Sequence, residues 1–283
     1  MRMTHPQLLA LEFPEREFSY DERDTMLYAV GVGLGREPED LPFVFEQGLR
    51  ALPTQAVVVA WEDTWQDVIG LDVLRVVHGE QRVTLHGPLP ARGRVRARFG
   101  IADVFDKGPG RGAIVLARTE LSDAASGAPL ATLLSTVFAR GDGGFGGPNG
   151  RRPEPHALPS RAADHVRERA VRPEQAAIYR LSGDRNPLHV DPAFARAAGF
   201  DRPILHGLCT WGMAAAEVLR TACGMKAERL LHFEARFTAP VYPGETLRTE
   251  VWIDGQVVSF RTTSTERAVV VLDHGKALVA PAI

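Results

Sequence analysis

Cysteine is nearly absent: Cys209 and Cys223 are the only two in a chain of 283 residues. Two cysteines cannot frame a disulfide-stapled secreted fold, so both read as reduced thiols of a cytoplasmic protein. Charge of one sign is lacking too. The 33 Lys+Arg against 35 Asp+Glu leave a formal net charge of −2, without the basic excess of a generic nucleic-acid binder. No apolar run approaches the ~18 residues of a membrane-spanning helix, so no membrane partner is expected. The start, Met1-Arg2-Met3-Thr4-His5-Pro6, leads into charged sequence with no apolar signal-peptide core, and Pro281-Ala282-Ile283 is not a peroxisomal tripeptide. What is present is ordinary globular composition, 45% hydrophobic and 24% charged, enough for a sizeable core. At ~150 residues per domain the length corresponds to about two domains.

A glycine-dense run, Gly141-Asp142-Gly143-Gly144-Phe145-Gly146-Gly147-Pro148-Asn149-Gly150, followed by Arg151-Arg152-Pro153-Glu154-Pro155, divides the chain. Gly frees the backbone and Pro blocks helix and ladder bonds, so 141–157 reads as a linker between units 1–140 and 158–283. The units echo each other. Pro88–Ile101 and Pro240–Ile253 both open with a Pro/Gly turn and then alternate, at a constant offset of 152 residues. Val95, Ala97, Phe99 and Ile101 share one face, as do Leu247, Thr249, Val251 and Ile253, which is the period of half-buried strands. Further strands are predicted at Ala113–Leu121, Leu130–Ala139, Val257–Thr263 and Ala268–His274. Helices are predicted after the acidic turn Asp21-Glu22-Arg23-Asp24, from Asp191-Pro192 to Ala198, and from Gly207 to about Ala222. The last is apolar nearly all round and should be buried.

The densest polar cluster is Tyr179-Arg180-Leu181-Ser182-Gly183-Asp184-Arg185-Asn186-Pro187-Leu188-His189. Gly183 and Pro187 force a loop, which can turn Asp184 and His189 to one point. A carboxylate beside an imidazole holds one water and supplies both a proton acceptor and a donor, and Asn186 adds a neutral hydrogen bonder. Alternatively, Asp, Asn, Gly and Pro together make an ordinary turn. Pro203-Ile204-Leu205-His206-Gly207 leads into the buried helix. A glycine at a helix N-terminus lets a carbonyl approach the backbone N–H, an oxyanion arrangement worth ~3 kcal/mol per donor. The combination suits addition of water across an activated double bond. His206 reads as a hydrogen bonder beside the site and Cys209 as a small buried thiol. The spacing of Asp184, His189 and His206 matches no standard metal site, so no metal is expected. Gly31-Val32-Gly33-Leu34-Gly35 follows a helix rather than a strand and is no dinucleotide loop.

The eleven-residue motif resembles the hydratase motif of MaoC-like (R)-specific enoyl-CoA hydratases, the type-two enoyl-CoA hydratases. So do I-L-H-G-L-C-T-W-G from Ile204, F-E-A-R-F-T-A-P-V-Y-P-G-E-T-L from Phe233, R-D-T-M-L-Y-A-V-G-V-G from Arg23 and V-V-H-G-E-Q from Val76. The resemblance covers both halves. It implies an α+β double hot-dog, each half wrapping an antiparallel sheet around a helix, with catalysis in the second half and room for acyl chains in the first. No second copy of the motif precedes Gly141. Carried over by position, Asp184 and His189 become the catalytic pair, Gly207 the oxyanion donor and Asn186 their support, with substrate contacts at His78, Gly79, Lys107 and Phe237. The implied reaction is syn hydration of an enoyl-CoA to a (3R)-3-hydroxyacyl-CoA, or its reverse. It needs no cofactor beyond the CoA of its acyl-CoA substrate, and a homodimer is compatible with it. Competing readings are a hot-dog thioesterase, a dehydratase of a specialised acid, or a non-enzymatic acyl-thioester binder. The last has no need of both Asp184 and His189.

Overall fold

A computed structural model describes residues 3–150 and 154–281, without the Leu74 side chain. The targeting readings of the first and last residues, and Arg151-Arg152-Pro153 of the linker, lie partly or wholly outside that range. Ten strands form one antiparallel sheet: β1 (Arg16–Tyr20), β2 (Val76–Leu85), β3 (Gly93–Asp106), β4 (Ala113–Asp123), β5 (Pro129–Ala139), β6 (His165–Ala170), β7 (Leu230–Phe237), β8 (Thr246–Asp254), β9 (Val257–Ser264) and β10 (Val269–Val279). The helices are α1 (His5–Leu9), α2 (Glu22–Gly31), α3 (Leu41–Val44), α4 (Trp65–Val68), α5 (Gln175–Tyr179), α6 (Pro192–Ala197) and α7 (Gly207–Val218).

The spatial order β1-β3-β4-β5-β2-β7-β10-β9-β8-β6 reads the same in both directions once the second-half strands are matched to the first. The duplication seen at Pro88 and Pro240 is therefore a repeat of the whole strand set. The two expected sheets join edge to edge through β2 and β7, with Glu80 opposite Arg236 and Arg82 opposite Glu234. Ion pairs of 2.6 Å (Arg236–Glu80) and 3.4 Å (Arg82–Glu234) cross the seam.

Helix α7 is buried from Leu208 through Val218, as its all-round apolar sequence requires. The first half departs from the expected pattern. In the stretch leading into β2, where α7 precedes β7 in the second half, it has a buried 3-10 turn, Pro53–Val57, the four-residue α4 and a further 3-10 turn, Val73–Arg75, so no long helix fills its sheet. Its main helix, α2, is capped by Asp21, whose side chain accepts from the Asp24 N–H, and packs across the halves. Gln175 Nε2 donates to Val30 O at 3.2 Å, and Cys209 Sγ to Gly31 O at 3.2 Å. At Gly212 of α7 a Cβ would lie 2.6 Å from Val32 Cγ1 and 3.0 Å from Tyr28 Oη. Gly212→Ala is expected to cost about 1–3 kcal/mol by forcing α2 and α7 apart, read as a lower thermal midpoint.

The glycine-rich run is docked rather than free. Asp106 accepts from the N–H groups of Gly144 and Gly146, both at 2.7 Å, and the Asp106 N–H donates to Pro148 O. Among the described residues no helix is long and apolar enough to cross a membrane.

Candidate active site

The eleven-residue motif leaves α5 through a 3-10 turn, Arg180–Ser182, loops, and ends in a second 3-10 turn, Pro187–His189. Gly183 sits at φ +138°, where a Cβ would come 2.9 Å from Trp61 Cβ of the first half. Only glycine accepts both that conformation and that neighbour. Asp184 Oδ1 accepts from the Asn186 N–H (3.1 Å), and Asn186 Oδ1 accepts from the Leu188 N–H (3.0 Å). These two bonds curl the loop so that His189 Nε2 comes 3.9 Å from Asp184 Oδ2. His189 Nδ1 lies 2.9 Å from Ile204 O. A carbonyl only accepts, so Nδ1 carries the proton and Nε2 faces Asp184 with a lone pair. A water at ~2.8 Å from both atoms completes the triangle without strain.

His206 completes the arrangement from behind. Its Nε2–H donates to the Asp184 main-chain oxygen at 3.1 Å, and its ring stacks on His189 with centroids 3.6 Å apart. Burial lowers its pKa to about 2, with His189 beside it acting in the same direction, so it stays neutral and acts as a fixed brace. Burial also raises the Asp184 carboxyl and lowers the His189 imidazole, each partly opposed by the other. The pair is thus held as a neutral imidazole beside a carboxylate that protonates more readily than usual.

Gly207 is the first residue of α7, so its N–H has no acceptor inside the helix and lies at the positive end of its dipole. A Cβ there would meet Phe237 Cε1 at 3.2 Å. Phe237 in turn packs against His78, with ring centroids 4.8 Å apart. A cavity of about 740 Å3 brings together Asp184, Asn186, His189, Gly207, Phe237 and His78, drawing its walls from both halves. Burial pushes His78 down to about 4, and its Nε2 is buried without a protein partner.

Gly79 and Lys107 are not among the lining residues. Gly79 forms a bulge in β2, where a Cβ would come 3.2 Å from Thr136 O. The Lys107 ammonium donates to the Asn149 carbonyl and lies 5.7 Å from the Phe105 ring centroid. Sequence reasoning missed Trp61, Arg75 and Arg140, which also line the cavity. Nothing in their local sequence marks them: Trp61 meets Gly183 across the halves, and Arg75 and Arg140 are brought side by side by the pairing of β2 with β5.

The donor atoms of Asp184, His189 and His206 all lie within 4.8 Å of one another. Ligands around a tetrahedral zinc stand closer, roughly 3.4 Å apart, and the His206 Nε2 proton is already committed to the Asp184 carbonyl. The geometry fits a bound water better than a metal.

Residues 156–274 match the MaoC like domain, and residues 18–141 match the MFE-2 hydratase 2 N-terminal domain. The chain is 44% identical over 270 residues to 3-hydroxyacyl-thioester dehydratase Y of Mycobacterium tuberculosis, covering 91% of this chain and 92% of that protein. It is 36% identical to a protein named probable enoyl-CoA hydratase 2 of Dictyostelium discoideum, covering 94% and 92%. Among solved structures, a MaoC-like dehydratase from Phytophthora capsici superposes with a TM-score of 0.87 at 32% identity, covering 98% of this chain and 99% of that one. A Mycobacterium tuberculosis protein described as a double hotdog fold, 18% identical with a TM-score of 0.58 and 95% and 97% coverage, shares the fold alone. With the hydratase motif folded around a water-sized gap and both halves matched along their length, the chain belongs to the MaoC-like enoyl-CoA hydratase 2 family.

Proposed function

We propose that the protein is a hydro-lyase that reversibly hydrates trans-2-enoyl-CoA to (3R)-3-hydroxyacyl-CoA. The observation that carries this reading is the gap between His189 Nε2 and Asp184 Oδ2, beside the first N–H of α7 and open to the cavity. A thioester carbonyl hydrogen-bonded to the Gly207 N–H is polarised, which makes the β-carbon electrophilic and stabilises the enolate that follows attack. Asp184 orients the water and His189 Nε2 takes its proton as the oxygen bonds to the β-carbon. The resulting imidazolium, stabilised by the Asp184 carboxylate, returns that proton to the α-carbon. Oxygen and proton leave from one place, so both add to one face of the double bond. Asn186 holds the loop in register.

In this reading the second half catalyses and the first shapes the acyl space. His78 and Phe237 flank the thioester, and the exposed guanidiniums of Arg75 and Arg140 are suited to the CoA phosphates. No cofactor beyond the substrate's CoA enters the scheme. The two buried free thiols favour the cytoplasm, although relatives from Arabidopsis thaliana and Mus musculus carry peroxisomal names. Incubating the protein with crotonyl-CoA is expected to bleach the conjugated enoyl absorbance without releasing free thiol. Thiol release would replace this reading with a thioesterase, and unchanged absorbance with every chain length would defeat it.

A further inference from the structure

Beside the main cavity lies a second hollow of about 50 Å3. Ala60, Glu62, Trp65, Phe99 and Thr119 border both spaces and form the partition between them. Its bulk is aromatic: the Trp65 and Phe99 rings stand 5.5 Å apart at 30°, and Phe13 meets Phe99 edge-on at 4.8 Å. Trp65 is buried, held on the single turn of α4. On its far side the hollow is bounded by Phe13, Phe18 and the ion pair of Arg16 with Glu62. It has space for one or two water-sized groups, at ~30 Å3 each.

Strand register gives the distance from the reacting end to this wall. Phe99 on β3 stands opposite Thr119 on β4, and Thr119 opposite Leu133 on β5, all facing the cavity. β5 pairs in turn with β2, where His78 touches Phe237 beside Gly207. From His78 to Phe99 is three strand-to-strand steps of ~4.8 Å, and Val137 opposite His78 stands four residues along β5 from Leu133, a further ~13 Å at right angles, so the path is about 20 Å. An extended chain advances ~3.5 Å per three bonds, so roughly seventeen bonds span the path.

We infer that Trp65 and Phe99 form the end wall of the acyl channel and set the upper limit of chain length. This rests on the hydratase reading of the cavity. Straight chains of about sixteen to eighteen carbons end against the two rings, and longer chains require the rings to part and admit the tail to the smaller hollow. The missing first-half helix explains why the channel exists, and the wall explains where it stops.

The test compares kcat/KM for trans-2-hexadecenoyl-CoA and trans-2-eicosenoyl-CoA in the wild type, Trp65→Ala and Phe99→Ala. The ratio of the longer to the shorter chain is expected to rise about tenfold in each variant, the size of effect that a few methylenes carry in an apolar pocket. Thr119→Phe, which thickens the partition, should lower it. Thermal melting reports whether each variant folds, and Trp65→Leu replaces Trp65→Ala if the latter does not. A ratio within about twofold of wild type in folded variants overturns the wall while leaving the hydratase reading intact. A wild type that hydrates crotonyl-CoA but neither long chain overturns the wall alone, and one that hydrates none of the three overturns both.

Discussion

Asp184→Asn and His189→Ala are each expected to lower kcat for enoyl-CoA hydration by about a thousandfold, the scale at which positioned proton transfer contributes. Asn keeps the shape of Asp184 and its reach toward the Asn186 N–H. It removes the carboxylate that orients water and stabilises the imidazolium. Loss of His189 removes the imidazole lone pair aimed at the gap, and His206 does not replace it because its Nε2–H is committed to a carbonyl. The two residues act on one water, so the double variant should lose little more than either single one. KM should change far less than kcat. A loss below about tenfold, with folding intact, would mean that the proton moves by another route. The wild-type pH profile carries the same argument. Burial raises the Asp184 carboxyl, so kcat/KM should begin to fall on the acid side at a higher pH than an ordinary carboxylate would give. Burial lowers His189, so its neutral form persists to a lower pH than that of an ordinary imidazole.

Arg220→Ala is expected to be the most destabilising single charge removal, at about 3–5 kcal/mol. Arg220 stands 2.5 Å from Asp40 and 3.1 Å from Glu37 of the first half, and 3.7 Å from Glu217 of α7. Asp40 and Glu217 are buried, at 0% and 3% exposure, so the truncation leaves carboxylates without water to replace the guanidinium. In a chain of this size the loss corresponds to a fall of roughly 10 °C in the thermal midpoint. Arg92→Ala is the contrast. Arg92 pairs with Glu22 at 3.0 Å, but with its side chain 76% exposed the change should be near neutral. The pH dependence has a definite sign. Burial pushes the Asp40 carboxyl up, but Arg220 and the main-chain N–H groups of Glu37 and Arg36 outweigh it and hold the net value low. Stability from this group is therefore present above the ordinary carboxylate value of ~4 and lost as pH falls through the lower folded value. An Arg220→Ala protein as stable as wild type would show that the cluster adds nothing net.

Local sequence carried the elements whose signals are local. The α2 and α6 caps, the buried α7 and the strands after each Pro/Gly turn are all where capping residues and periodicity place them. The loop bearing Asp184 and His189 was legible because Gly183 and Pro187 leave it few other conformations. What escaped depends on residues far apart in the chain. β2 and β7 carry charged residues at positions that become a seam only when Glu80 meets Arg236. The Glu37, Arg169 and Arg220 cluster joins segments more than a hundred residues apart. Lys107 likewise has a partner distant in sequence. A cation in a glycine turn invites a phosphate, but the folded-back Asn149 segment already supplies its acceptor.

The seam between β2 and β7 also has a consequence for biosynthesis. Every strand of the first half has been synthesised once residue 139 is made, yet the partner of β2 begins only at Leu230. At the usual pace of translation that interval lasts roughly 5 to 20 seconds, during which β2 stands as an open edge. An open edge invites pairing with neighbouring nascent chains. Glu80 and Arg82, already 3.0 Å apart on β2 itself, place charge along that edge before any partner arrives. The side chains that later stitch the halves together thus serve first as gatekeepers against aggregation.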